Sequence, residues 1–180
     1  MLFLSFLIVV VGAHQPSDDL QRLLALTAHV GNGAPSWTAA TPACKWDGVT
    51  CDPTTQTVVQ IIWHAYNLTG TVNLTALPAG LEDLDLSANA LTGTPDVATL
   101  PPVLSEIFLY ANQFTGTLDL RTLPKGLMYL HLDSNRFTGH GTFTARNCEW
   151  CHSTFRQTSM CGATSDGLFN CSGSWACVPK

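Results

Sequence analysis

One nine-residue phrase recurs along this chain without a change of spacing. It reads Leu81-Glu-Asp-Leu84-Asp-Leu86-Ser-Ala-Asn89, then Leu104-Ser-Glu-Ile107-Phe-Leu109-Tyr-Ala-Asn112, then Leu127-Met-Tyr-Leu130-His-Leu132-Asp-Ser-Asn135, with the asparagines 23 residues apart. One period earlier, Val58-Val-Gln-Ile61-Ile-Trp63-His-Ala-Tyr66 is a degenerate first copy. Each phrase has a matching tail: Leu68-Thr-Gly70-Thr71, Leu91-Thr-Gly93-Thr94, Phe114-Thr-Gly116-Thr117 and Phe137-Thr-Gly139-His140. The alternation within each phrase is that of a strand, whose successive side chains point to opposite faces. Two apolar residues point inward and the residue between them points out. The asparagine suits a turn away from the strand, because its side chain can satisfy backbone groups left unpaired there. Pro78, Pro101 and Pro124 stiffen each return. An amphipathic helix would need a period of 3.6 and would not tolerate Pro and Gly in every repeat.

This phrase and period resemble the leucine-rich repeat. The resemblance implies an α/β solenoid with a short parallel β-sheet on the concave face and an irregular convex side. Four rungs of 23 residues are expected over 58–147. A single rung cannot bury its apolar face against the entropy of ordering its chain, so stacking and end caps are required.

The flanks supply both caps. Ser17-Asp-Asp-Leu20-Gln-Arg-Leu23-Leu24-Ala-Leu26 reads as a helix capped by Ser17 or Asp18, with Leu20, Leu23 and Leu24 on one face. Trp37 and the run Cys44-Lys-Trp46-Asp-Gly48-Val-Thr-Cys51 follow. Helix, tryptophan and CxWxGVxC together resemble the N-terminal cap of plant-type extracellular leucine-rich-repeat proteins. The Leu-Thr-Gly tails resemble the same class, but the next step departs from it, having Thr where that class has Ile-Pro. The wording LPxGLxxLxLxxNxxTGTxDL is closer to surface leucine-rich-repeat proteins of kinetoplastid protists. The N-terminal cap is placed at 14–57, with a Cys44–Cys51 disulfide that shields the apolar end of the solenoid, including Trp63 at an inward leucine position.

The remaining cysteines, Cys148, Cys151, Cys161, Cys171 and Cys177, fall in a C-terminal cap at 148–180. Their spacing admits a thiolate zinc site, but disulfides are the default for an exported chain. The expected arrangement is two bridges and one odd cysteine, with no metal and no cofactor. Export is indicated by the uncharged run Leu2–Val11 followed by Gly12-Ala13, which reads as a signal peptide over 1–13. After its removal no transmembrane helix is expected, and the destination is the cell surface or the extracellular space. Asn67, Asn73 and Asn170 stand in N-x-S/T sequons and are candidate glycosylation sites.

Charge and motifs bound the function. The net charge is −5, and no Lys or Arg lies between Lys45 and Arg121, so the middle of the chain cannot build the basic patch that nucleic acid requires. No GxSxG, HExxH or P-loop spacing is present. His64 and His131 fall three rungs apart, too far to share a metal. The expectation is a binding protein, not an enzyme. Its alternatives are a structural coat protein without a specific ligand, or an enzyme inhibitor of the extracellular leucine-rich-repeat type. In-register stacking would place Ile62, Asp85, Phe108 and His131 in one outward column, Gln60, Asp83, Glu106 and Tyr129 in a second, and His64, Ser87, Tyr110 and Asp133 in a third. The ligand-binding residues read from these columns are Asp83, Asp85, Glu106, Phe108, Tyr110, Tyr129, His131 and Asp133. Exposed aromatics are the types that anchor interfaces. An acidic surround without Lys or Arg favours a basic protein or glycan partner.

Overall fold

A computed structural model describes residues 16–33, 36–142 and 159–163. The signal segment at 1–13, Asn170, and Cys148, Cys151, Cys171 and Cys177 lie outside the described residues. Cys161 is described in its backbone only.

The elements run α1 (Pro16–Leu26), β1 (His29–Gly31), β2 (Val49–Cys51), β3 (Val58–Ile62), β4 (Thr69–Thr71), β5 (Asp83–Asp85), β6 (Ala90–Thr92), β7 (Glu106–Phe108), β8 (Thr115–Gly116), β9 (Tyr129–His131), β10 (Arg136–Thr142) and β11 (Ser159–Ala163). Each inward leucine phrase lies at one strand of a five-stranded sheet ordered β2-β3-β5-β7-β9. The repeat strands are parallel and in register: Gln60 faces Asp83, Asp83 faces Glu106, and Glu106 faces Tyr129. Inside, Ile61, Leu84, Ile107 and Leu130 form one buried column, and Trp63, Leu86, Leu109 and Leu132 form the next. The chain is an α/β leucine-rich-repeat solenoid with this sheet on its concave face.

The turn after each strand is also regular. Ala65, Ala88, Ala111 and Ser134 all take the left-handed conformation, one residue before the repeat asparagine or its Tyr66 counterpart. The Asn112 amide donates to the carbonyls of Leu86 at 2.9 Å, Leu109 at 3.2 Å and Tyr110 at 3.3 Å, and its oxygen accepts from the Leu91 N–H at 3.0 Å. Asn89 and Asn135 repeat the pattern, accepting from Leu68 and Phe114. Each asparagine thus closes a backbone donor of the rung before it. The first rung has no rung before it, and there the asparagine gives way to Tyr66, whose ring stacks on Trp37 at 6.0 Å.

The return side holds more order than an irregular path. The Thr-Gly tails pair in two short sheets, with β4 beside β6 in one and β8 beside β10 in the other. The first sheet is completed by β1 running antiparallel to β4, and the second by β11 running parallel to β10. Beyond them, tight turns from Pro78, Pro101 and Pro124 accept from Leu81, Leu104 and Leu127, at 3.1–3.2 Å in each case. Gly70 has φ +80°, and a Cβ there would lie 2.2 Å from the His29 backbone oxygen. Gly70→Ala is therefore expected to destabilise the fold by more than ~1–2 kcal/mol, the cost of the left-handed conformation alone, read as a lower urea midpoint. Thr71→Ala, on the exposed neighbouring residue, should leave the midpoint nearly unmoved.

The N-terminal cap buries the first rung. The helix starts at Pro16, ahead of the expected cap at Ser17 or Asp18, so Asp18 and Asp19 fall in its first turn; proline suits that position because a first-turn N–H has no helical partner. Leu23 and Leu26 are the fully buried residues of its stripe, while Leu20 and Leu24 are partly covered. The buried Asp19 carboxylate accepts from the Val58 N–H at 2.7 Å. Trp63 is 0% exposed, packs on Trp37 at 4.0 Å, and donates to the Asp47 carbonyl at 3.0 Å. A Cys44–Cys51 disulfide ties this layer to β2 at the sheet edge. Among the described residues no helix is long and apolar enough to cross a membrane.

Candidate binding face on the concave sheet

The outward residues of β5, β7 and β9, with those just beyond each strand, share one surface. Asp83 and Asp85 come from β5, Glu106 and Phe108 from β7, and Tyr129 and His131 from β9. Tyr110 and Asp133 follow two residues after Phe108 and His131. Register places Asp85 beside Phe108 and Phe108 beside His131. All eight candidate residues lie on this face across three adjacent rungs, with acids concentrated on β5 and rings on β7 and β9.

The rings form a continuous set. Phe108 and His131 lie 4.8 Å apart, and Tyr110 lies 6.3 Å from His131 on one side and 6.3 Å from His64 on the other. Tyr129 is 46% exposed and Ile62 38%. His64 belongs to this set although it was not among the expected binding residues. It is reached because Ser87, between His64 and Tyr110 in their column, is small. Ser87 itself is 0% exposed, so this outward position is covered instead of presented to solvent. A small residue flanked in its column by large rings is the sequence signal for such a bridge.

The carboxylates are held to different degrees. Asp83 accepts from Gln60 Nε2 at 3.1 Å and from the Ser105 hydroxyl at 3.4 Å. Asp85 accepts from both the backbone N–H and the hydroxyl of Ser87. Ser87 in turn bonds His64 Nδ1 at 2.8 Å. Here serine stands between histidine and aspartate. Nucleophilic catalysis needs histidine in the middle, removing the serine proton; in this order the hydroxyl proton is committed to Asp85, and the trio orients a ring instead of activating an oxygen.

Burial, with Asp83 beside it, raises the Glu106 carboxyl above its ordinary range. Burial lowers His131 below the ordinary imidazole value against the opposing pull of Asp133 and Asp85, which favours the uncharged ring. The folded chain holds the Glu106 proton more tightly than the unfolded chain does. That contribution to stability is present below the ordinary glutamate range and lost as pH rises through the raised folded value. Glu106→Gln is accordingly expected to be more stable than the parent at neutral pH. The difference should vanish by about pH 3, where both side chains are uncharged; urea melts across that range measure it, and a difference independent of pH would remove the carboxyl as its cause.

Comparison with known proteins agrees with the architecture. Residues 16–52 match the family described as the leucine rich repeat N-terminal domain. The BIR3–SERK2 complex from Arabidopsis thaliana contains a similar fold, with TM-score 0.57 and 20% identity over 82% of this chain and 83% of that one. The leucine-rich-repeat ectodomain of the receptor kinase SOBIR1, also from Arabidopsis thaliana, gives TM-score 0.54 and 20% identity over 86% of this chain and 100% of that one. A comparison with curated protein sequences finds no match. The rungs, the concave sheet and the cap together make this chain a leucine-rich-repeat solenoid, whose residues 16–52 match the leucine rich repeat N-terminal domain.

Proposed function

We propose that this chain is a non-catalytic secreted or cell-surface binding protein that recognises a protein partner through its concave face. The observation that carries the reading is the ring set spanning His64, Tyr110, His131 and Phe108 on a rigid sheet, with Tyr129 exposed beside it. These rings point away from the core, so folding does not require them, and such residues anchor interfaces. A coat protein would present interchangeable residues from rung to rung. The centre column instead changes at every step: Ile62, Asp85, Phe108, His131. The similar folds include a member of a two-protein complex and a receptor-kinase ectodomain, which supports a binding role.

The carboxylates of Asp83, Asp85, Glu106 and Asp133, with no Lys or Arg in the three columns, favour a basic partner. Asn67 and Asn73 are exposed and are proposed as N-glycan acceptors. The test immobilises the glycosylated chain and compares the extracellular proteins it retains with those retained by a Phe108→Ala, Tyr129→Ala variant. Partners lost with the variant support the concave face. Partners retained equally by both place binding on another surface.

A further inference from the structure

Among the described residues, Glu106 is the one outward carboxylate of these columns that accepts no hydrogen bond. Asp83 and Asp85 each accept from neighbouring side chains. Glu106 also sits where the two chemistries of the face meet. Asp83 is its register partner on β5, Tyr129 its register partner on β9, and Phe108 the next outward residue of its own strand. Rungs about 4.8 Å apart bring these groups within reach of one planar cation.

We propose that the concave face takes an extended, arginine-bearing segment of its partner, with one guanidinium paired to Glu106, drawn by Asp83 and Asp85, and lying against the rings of Phe108 and Tyr129. The inference rests on the binding role argued above and names the chemistry of the occupant. Charge complementarity commits the face to a cation, since its outward columns hold four carboxylates and no Lys or Arg. The adjoining rings select the kind of cation. A guanidinium is flat, gives two parallel donors to one carboxylate and stacks on an aromatic face while doing so. An ammonium is a compact, strongly hydrated charge that satisfies the carboxylate but uses the rings poorly. Desolvation of Glu106 and the like charge of Asp83 support the same occupant, because both penalise the ionised carboxylate and both are relieved by a cation.

The probe is a set of immobilised seven-residue peptide pools with random uncharged flanks and a fixed central arginine, lysine, citrulline or glutamate. Retention of the purified chain is read on each pool. The arginine pool should retain at least ~10-fold more chain than the citrulline pool, which has the same shape without the charge, and several-fold more than lysine. Glu106→Gln, with its fold checked by circular dichroism and a urea melt, should bring the arginine pool down to the citrulline level. Equal retention on arginine and citrulline overturns the proposal, as does an arginine preference that survives Glu106→Gln, or retention of no pool above background. If the arginine preference is absent but Phe108→Ala, Tyr129→Ala still lowers retention on the pools that do bind, the arginine assignment falls and the concave binding face stands. If retention also ignores those rings, both fall.

Discussion

Asn112→Ala is expected to lower folding stability by about 2–4 kcal/mol, because it strands a buried backbone donor inside the solenoid. The accounting is uneven across the bonds the side chain makes. The Leu86 carbonyl also accepts from Asn89, the Leu109 carbonyl also accepts from Asn135, and the Tyr110 carbonyl also accepts from the Ala88 N–H. Those acceptors keep a donor after the substitution. The Leu91 N–H points at Asn112 Oδ1 and gains no replacement. An unsatisfied buried donor costs ~1–3 kcal/mol, to which the lost donor bonds and the vacated volume add. Asn112→Asp keeps an oxygen for Leu91 but turns a carboxylate toward three carbonyls, so it should cost at least as much. Urea unfolding of both variants measures this. If Asn112→Ala moved the stability by less than ~0.5 kcal/mol, an ordinary surface effect, the asparagine ladder would not be what closes the rungs.

The double variant Phe108→Ala, Tyr129→Ala should behave in the opposite way. It is expected to stay folded and to lose at least ~2 kcal/mol of affinity for any partner held on the concave face, the level of anchoring residues. Neither ring enters the core, which on these strands is formed by Ile107 and Leu130. Phe108 does meet His131 at 4.8 Å, so a stability loss of up to ~1 kcal/mol from that cross-strand pair is expected. Circular dichroism and a urea melt establish that the variant is folded, and calorimetry with a captured partner reads the affinity. Unchanged affinity in a folded variant would move the binding surface to the convex side or the caps.

The rung follows from the periodicity of the chain alone. A period of 23 with no slip, two inward positions per strand and an asparagine at the exit leave one way to bury the leucines: stacked parallel strands in fixed register. A shift by one residue would turn every inward leucine outward. The same periodicity made the columns Asp83–Glu106–Tyr129 and Asp85–Phe108–His131 readable, since outward residues on neighbouring rungs must lie side by side. The Cys44–Cys51 pairing and the inward Trp63 were legible for a related reason, each occupying a fixed place against the first rung.

What depends on distance between side chains was decided only in three dimensions. Strand alternation places Ser87 outward, yet the rings of His64 and Tyr110 lean together over it and cover it. The Thr-Gly tails carry no strand signal of their own, yet β4 pairs with β6 and β8 with β10 once the rungs are stacked. Tyr66 looks like a lapse in the repeat. In the fold it stands where an asparagine would have no earlier rung to close, and it covers the cap tryptophan instead. Periodicity specifies which way each residue faces, but not how far a ring will lean or which backbone donor lacks a partner. Those follow from packing between rungs and against the cap, where the neighbours come from distant parts of the chain.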